Sequence, residues 1–260
     1  MDSARIGAAA DVLAAARRDG QLLERLPDES RPRSLAEGYE IQSAFIKIWP
    51  DKLAGWKIGA TSHGTMERFG VSEPIYGPFF ASDIYTSPAA PTAGSLQHMA
   101  IESEFAYRLG RDLPARDTPY SREEILDAID AVIPCFEIVS PRFVRIPFDD
   151  AASAIADCML NAAMVLGTPI TDWRGIDAAR HPVTLHIDGL ITGEGNGSDC
   201  LGDPRNVLDW IVEKLRARGI SLKKGEILST GTCTGIVPLR KDQTAVADFG
   251  PLGKVELRYT

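Results

Sequence analysis

The chain has 260 residues, 44% of them hydrophobic and 25% charged, with a formal net charge of −8 at pH 7. That length suits one medium domain with an appendage, or two small domains, and leaves ample chain to bury a core. The acidic balance argues against a nucleic-acid-binding surface, while an anionic substrate responds to local rather than net charge.

The start, Met1-Asp2-Ser3-Ala4-Arg5, lacks a basic region followed by an apolar block and does not read as a secretory signal. No run of 18 apolar residues is present, so no membrane span is expected. Ser3 is a candidate cap for an Ala-rich helix ending near Asp19-Gly20, and Ser34-Leu35-Ala36-Glu37 reads as a capping box opening a second helix to about Trp49. Pro27, Pro32 and intervening charges mark a linker between them. Two helices in about 50 residues make an appendage rather than a full domain.

From Gly55 the texture changes to short strands, glycines and prolines. Gly55-Trp56-Lys57-Ile58-Gly59-Ala60 reads as a strand, and Pro74 to Pro91 as turn-rich chain. Glu102 to Leu109 is a strand; Ser121-Arg122-Glu123-Glu124 is another capping box, predicting a helix to about Val132. A nine-residue apolar strand, Ala131 to Val139, follows with Glu137 inside it. Ala151 to Leu166 mixes helical and extended signals. Pro182 to Ile191 reads as a hairpin turning at Asp188-Gly189. Asp203-Pro204 opens a helix with Val207, Leu208, Ile211 and Leu215 on one face, ending before Gly219. Three strand candidates close the chain: Ile227 to Thr230, Ala245 to Phe249 and Lys254 to Tyr259. The pattern is a β-rich α+β fold without βαβ alternation. The four cysteines, Cys135, Cys158, Cys200 and Cys233, include no Cys-x-x-Cys pair, which argues against zinc and for reduced thiols in a cytoplasmic protein.

The chemistry concentrates in Ile101-Glu102-Ser103-Glu104-Phe105 and Glu137. Residues i and i+2 of a strand share a face, so Glu102 and Glu104 sit roughly 6–7 Å apart along it. Carboxylates that close repel, and one inside an apolar run is costly to ionise. A divalent cation relieves both, and three carboxylates with open positions describe a Mg²⁺ or Mn²⁺ site. The competing readings are a solvated outer face for the pair, and Arg142 as an ionic partner for Glu137. Both stay open on the residues alone. Arg142 is also a candidate for bidentate capture of a substrate carboxylate, with a structural ion pair as the alternative.

Five stretches together resemble a known family: Gly55 to Ser62 (GWKIGATS), Glu73 to Gly77 (EPIYG), Ile101 to Ala106 (IESEFA), Phe136 to Val139 (FEIV) and Gly225 to Gly235 (GEILSTGTCTG). In this order and at these separations they resemble the 2-keto-4-pentenoate hydratase/4-oxalocrotonate decarboxylase family of the fumarylacetoacetate hydrolase superfamily. The resemblance covers nearly the whole chain. It implies an α+β fold in which residues 1–54 form a small helical region and residues 55–260 a mixed β-roll. It implies Mg²⁺ or Mn²⁺ held by Glu102, Glu104 and Glu137, an active-site lysine at Lys57, and a substrate-bordering loop at Thr230-Gly231-Thr232. It further implies a homo-oligomer, and association with a related pathway enzyme.

The activity so implied is metal-dependent addition of water to a 2-hydroxy-dienoate or its 2-oxo tautomer, giving a 4-hydroxy-2-oxo acid in the breakdown of aromatic compounds. Alternatives are a 4-oxalocrotonate-type decarboxylase on the same metal site, and an acylpyruvate-type C–C hydrolase, for which His63 and Glu67 lie four residues apart. A non-enzymatic alternative is an inactive assembly subunit. Three stretches depart from the family pattern: Ile75 stands where many members carry an acid, Cys158-Met159-Leu160 is larger or less polar than usual, and Gly193 to Asp199 is atypically glycine-rich without being a dinucleotide fingerprint. No serine elbow, P-loop or basic patch competes.

Overall fold

Two β-sheets carry the framework of the computed structural model, which describes residues 1–92, 96 and 98–260. The larger is built from β1 (Leu53–Gly59), β2 (Ile75–Phe80), β3 (Ile84–Thr86), β4 (Ala100–Leu109), β5 (Ile129–Val139) and β6 (Asn161–Leu166). The smaller takes β7 (Val183–Ile187) and β8 (Leu190–Gly195). Of the remaining strands, β9 (Ile227–Thr232) and β10 (Val237–Pro238) return to the large sheet, while β11 (Thr244–Asp248) and β12 (Lys254–Arg258) complete the small one. The large sheet has the order β2-β1-β9-β4-β5-β6-β3, with β10 against β4. It is mixed: β1/β9 and β3/β6 run parallel, the other pairs antiparallel. The small sheet, β12-β11-β7-β8, is antiparallel throughout.

Among the described residues the α-helices are six: α1 (Ser3–Asp19), α2 (Leu35–Ile48), α3 (His63–Phe69), α4 (Arg122–Ala128), α5 (Ala151–Ala156) and α6 (Pro204–Ala217). Asp2, not Ser3, caps α1, its carboxylate accepting from the Arg5 N–H. At α2 Ser34 accepts from the Glu37 N–H, but Glu37 turns its own carboxylate to the Arg33 N–H and the N-terminal ammonium, so only half of the capping box forms. These two helices share a core with Phe80, Phe143, Ala156 and Cys158, so they are packed onto the roll. On α6, Asp203 caps, Pro204 occupies the first turn, and Val207, Leu208, Ile211 and Leu215 are all buried.

Helix α4 stops at Ala128, four residues short of its predicted end. The next residues pair instead with β4 along the length of β5, where the β-branched side chains of Ile129, Val132 and Ile133 are buried. The ambiguous stretch from 151 resolves into three parts: α5, then a turn, then β6. In the turn Cys158, Met159 and Leu160 all have left-handed backbone, with φ of 53°, 51° and 64°. The 188–189 turn has φ of 50° and 81°, positive at both central residues as a type I′ hairpin requires. Helix α3 lies in a stretch assigned no element from the sequence. Ser62 and Thr65 cap it reciprocally and Gly70 ends it with φ of 64°.

Candidate metal centre

The β4/β5 register places Glu102 directly opposite Glu137, with Glu104 two residues along β4 on the same face. One carboxylate oxygen from each of the three lies within 4.8 Å of the others. Glu104 and Glu137 are fully buried and Glu102 is partly exposed, so the cluster opens to solvent through Glu102.

Neighbouring strands supply the donors. Across β9, the Gly231 N–H donates to Glu104 Oε2 at 3.0 Å. That close approach needs a glycine: φ is 95°, and a Cβ there would lie 2.2 Å from Thr61 Oγ1. Lys57 on β1 pairs with Ser229 on β9 and is itself only 2% exposed. Its Nζ lies 3.0 Å from Glu137 Oε1, and Asn161 Nδ2 donates to the same oxygen at 3.0 Å. Each buried carboxylate therefore has one anchored oxygen. The others, Glu104 Oε1 and Glu137 Oε2, are buried without a hydrogen-bond partner.

Such orphaned oxygens are rare in folded proteins and call for an explanation. A hard divalent cation between the three carboxylates would satisfy both at once. Loss of water and the charge on Glu137 push the Glu102 pKa up to about 7, against the pull of Lys57. Glu104 is driven upward by burial and by both neighbouring carboxylates. Burial alone would lower the Lys57 pKa, but Glu137, Glu102 and Glu104 outweigh it and hold the ammonium charged. With all three acids ionised, as a bound cation requires, one ammonium leaves the pocket net negative, and the donor set is all oxygen, which suits Mg²⁺ or Mn²⁺.

Two cavities meet at Glu102. One, of about 460 Å³, is the more polar of the two and is bordered by Thr61, Ser62, Thr65, Asp199 and Thr232. The other, about 70 Å³, is bordered by Lys57 and Glu102 and by the apolar side chains of Val139, Ile146, Phe148 and Met159.

The remaining expected residues are placed as follows. Gly231 and Thr232 border the polar cavity. Thr230 is buried, its hydroxyl donating to the Phe105 carbonyl, and Thr232 Oγ1 donates to the Gly235 carbonyl. The Arg142 guanidinium is not brought to the cluster. Its donors go to the Asp157 carboxylate and carbonyl and to the Asn161 carbonyl, and it borders a separate cavity beside Arg17 and Asp83. Glu137 has Lys57 and Asn161 as partners where the sequence offered Arg142. His63 borders the polar cavity, and both it and Glu67 are exposed on α3. Asn161 was not foreseen, because it lies inside the stretch from Ala151 to Leu166 whose structure the sequence left ambiguous.

A family model for the fumarylacetoacetate (FAA) hydrolase C-terminal region matches residues 81–258. The chain belongs to this family. Among curated members it is 32% identical to a 2-keto-4-pentenoate hydratase from Paraburkholderia phymatum, over 81% of this chain and 79% of that one. It is 30% identical to a 2-hydroxyhexa-2,4-dienoate hydratase from Comamonas testosteroni, over 94% and 93%. Among solved structures of the family fold, 4-oxalocrotonate decarboxylase from Pseudomonas putida G7, complexed with magnesium and adipate, superposes with a TM-score of 0.92 at 23% identity. That match covers 100% of this chain and 99% of the other.

Proposed function

We propose that this chain is a divalent-cation-dependent hydro-lyase that adds water to a 2-hydroxy-dienoate of the 2-keto-4-pentenoate type, giving a 4-hydroxy-2-oxo acid. The observation that carries the reading is the Glu102–Glu104–Glu137 cluster with its orphaned oxygens and buried Lys57, in a chain whose relatives are named hydratases. A cation held there supplies Lewis-acid stabilisation of negative charge on a chelating 2-oxo acid.

The chain's own residues do the rest. Glu104 and Glu137 present one fixed oxygen each, held by the Gly231 N–H and by Lys57 with Asn161. Lys57 stands beside the cluster, its Nζ 3.0 Å from Glu137 Oε1, as a positive charge for the substrate's carboxylate or C2 oxygen, or as a proton relay. Ketonisation of the dienoate leaves an α,β-unsaturated ketone, to which water adds at the distal carbon. The polar cavity on the Thr61–Thr65 side gives that water a path to the reacting carbons, while the apolar cavity keeps the tail dry.

A decarboxylase on the same site is the second reading. It is favoured by Ile75, which is buried in an apolar cluster with Met159 and Leu160 and cannot handle a proton. C–C hydrolysis would need His63 and Glu67, both exposed on α3, to act as a pair over the cluster. We also infer Mg²⁺ or Mn²⁺ as the natural ion, a role in aromatic-compound breakdown, and a reducing, cytoplasmic setting consistent with four free, buried cysteines. Homo-oligomerisation is inferred too, supported by exposed Leu190 and Ile191 on the edge strand β8.

The test follows ultraviolet absorbance of 2-hydroxypenta-2,4-dienoate and of 4-oxalocrotonate, with Mg²⁺ and with EDTA, alongside CO₂ detection. Metal-dependent loss of the pentadienoate without CO₂ is the expected result. Loss of 4-oxalocrotonate with CO₂, and no action on the pentadienoate, would replace it with the decarboxylase reading.

A further inference from the structure

The left-handed turn at Cys158-Met159-Leu160 is the most strained backbone near the site. Three consecutive non-glycine residues occupy a region that L-residues rarely adopt, and such strain persists only where the surroundings over-determine it. Two glycines make room for it, one on each side of Lys57. Gly77 lies opposite Lys57 in the β1/β2 register, and a Cβ on it would fall 2.1 Å from the Cys158 carbonyl oxygen. Gly59 lies two residues after Lys57, and a Cβ on it would fall 2.9 Å from Met159 Cε and 3.6 Å from Lys57 Nζ. The thioether methyl and the ammonium therefore crowd the same point. The turn thus sets Met159 in the lining of the apolar cavity, close to Lys57.

That cavity has the chemistry of a hydrocarbon tail site. Lys57 and Glu102 border it together with the apolar side chains of Val139, Ile146, Phe148, Met159, Leu160 and Ile236. At about 70 Å³ it holds only a few heavy atoms, since one water needs roughly 10–15 Å³ on this measure. Arg68 also borders it, its guanidinium carbon 3.5 Å from the centroid of the Phe148 ring, against which Phe69 tilts at 56°. Arg68 is exposed, so it covers Phe148 from the solvent side.

Resting on the hydratase reading, we propose that Met159 is the specificity-determining residue for the substrate's tail: the site takes a dienoate ending in a short, uncharged hydrocarbon group, and Met159 excludes longer ones. Removing its side chain frees the volume of about three heavy atoms beside Lys57. A missing or extra methylene in an apolar pocket changes discrimination by about 10–200-fold, so the effect is large enough to read.

The experiment has two readouts. Calorimetry in the presence of Mg²⁺ measures binding of saturated 2-oxo acids from 2-oxopentanoate to 2-oxooctanoate. Steady-state kinetics compare 2-hydroxypenta-2,4-dienoate with analogues carrying propyl or phenyl at the far carbon. Wild type should favour the short member of each set. Met159→Ala should raise the long-to-short ratio at least tenfold in both, and Met159→Leu should keep it near the wild-type value. Ratios on one enzyme sample do not depend on how much of it is folded, so lost stability cannot imitate the result. An unchanged ratio in Met159→Ala overturns the proposal. So does a wild-type preference for 2-oxoadipate that Arg68→Met abolishes, because the tail would then be charged. A shifted binding ratio without turnover of any dienoate upholds the tail site and instead refutes the hydratase reading.

Discussion

Glu137 divides its two oxygens between different tasks. Oε1 accepts from Lys57 and Asn161, while Oε2 is left without a partner in the gap between the carboxylates. Asn161 is in turn held through its carbonyl, which accepts from Arg142 at 2.8 Å and Arg17 at 3.1 Å. It thus fixes which Glu137 oxygen would face a bound cation. Asn161→Ala is expected to weaken Mn²⁺ binding by about 10–100-fold, the usual effect of losing an outer partner of a ligand, while the far-UV circular dichroism stays native. Glu102 adds a pH dependence. Metal binds only the ionised carboxylate, so with its pKa near 7 affinity should fall as pH drops below that value, by up to about tenfold per unit for this one proton. Calorimetric titration at pH 6, 7 and 8 reads this directly; an affinity flat across that range would argue against it. A third acid lies away from the site. Glu226 is buried with Oε2 unpartnered, and burial pushes its pKa up to about 7. The folded state therefore binds this proton more tightly than the unfolded chain. The contribution is intact below about pH 4.5 and is lost as pH rises through 7. Glu226→Gln should raise the Tm at pH 8 and leave it unchanged near pH 4.

At the level of elements, the site depends on five adjacent strands, β1-β9-β4-β5-β6, being in register and on glycines where the backbone passes closely. Gly77→Ala would put a methyl group 2.1 Å from the Cys158 carbonyl, so the turn or β2 must move. A marked drop in thermal stability, with lost turnover in whatever remains folded, is the expected outcome by thermal melt and assay. The same elements explain what could be read in advance. That Glu102 and Glu104 share a face follows from strand periodicity, since a period of two assigns faces without knowledge of neighbours, whereas Lys57 was legible only through the family resemblance. Helix α4 was extended too far because Ile129 to Val132 also suits a helix face, and only pairing with β4 decides for strand. The Cys158–Leu160 turn carries no local signal such as Gly or Asn. Its shape is imposed by space left at Gly59 and Gly77, which lie about 80–100 residues earlier in the chain. Asn161 became identifiable only once that turn was known. Arg142 illustrates the converse: its position just past Glu137 suggested the site, yet Asp157 from the opposite end of α5 takes its guanidinium.

For the molecule as a whole, the mixed sheet concentrates three acids and one ammonium in a buried wall, an arrangement that works against folding unless the charges are compensated. Any cation that binds the folded state alone stabilises it by mass action, about 2.7 kcal/mol at a hundredfold excess over Kd. Saturating Mg²⁺ should therefore raise the Tm and EDTA should lower it, with the difference vanishing in Glu104→Gln. The most direct test of the metal centre is a calorimetric titration of Mn²⁺ into the EDTA-stripped wild-type protein and into Glu104→Gln, with circular dichroism on both. One ion per chain in the wild type, and no measurable binding in a natively folded Glu104→Gln, is the predicted result. Equal affinity in the two proteins would contradict the assignment of Glu102, Glu104 and Glu137 as the metal's ligands.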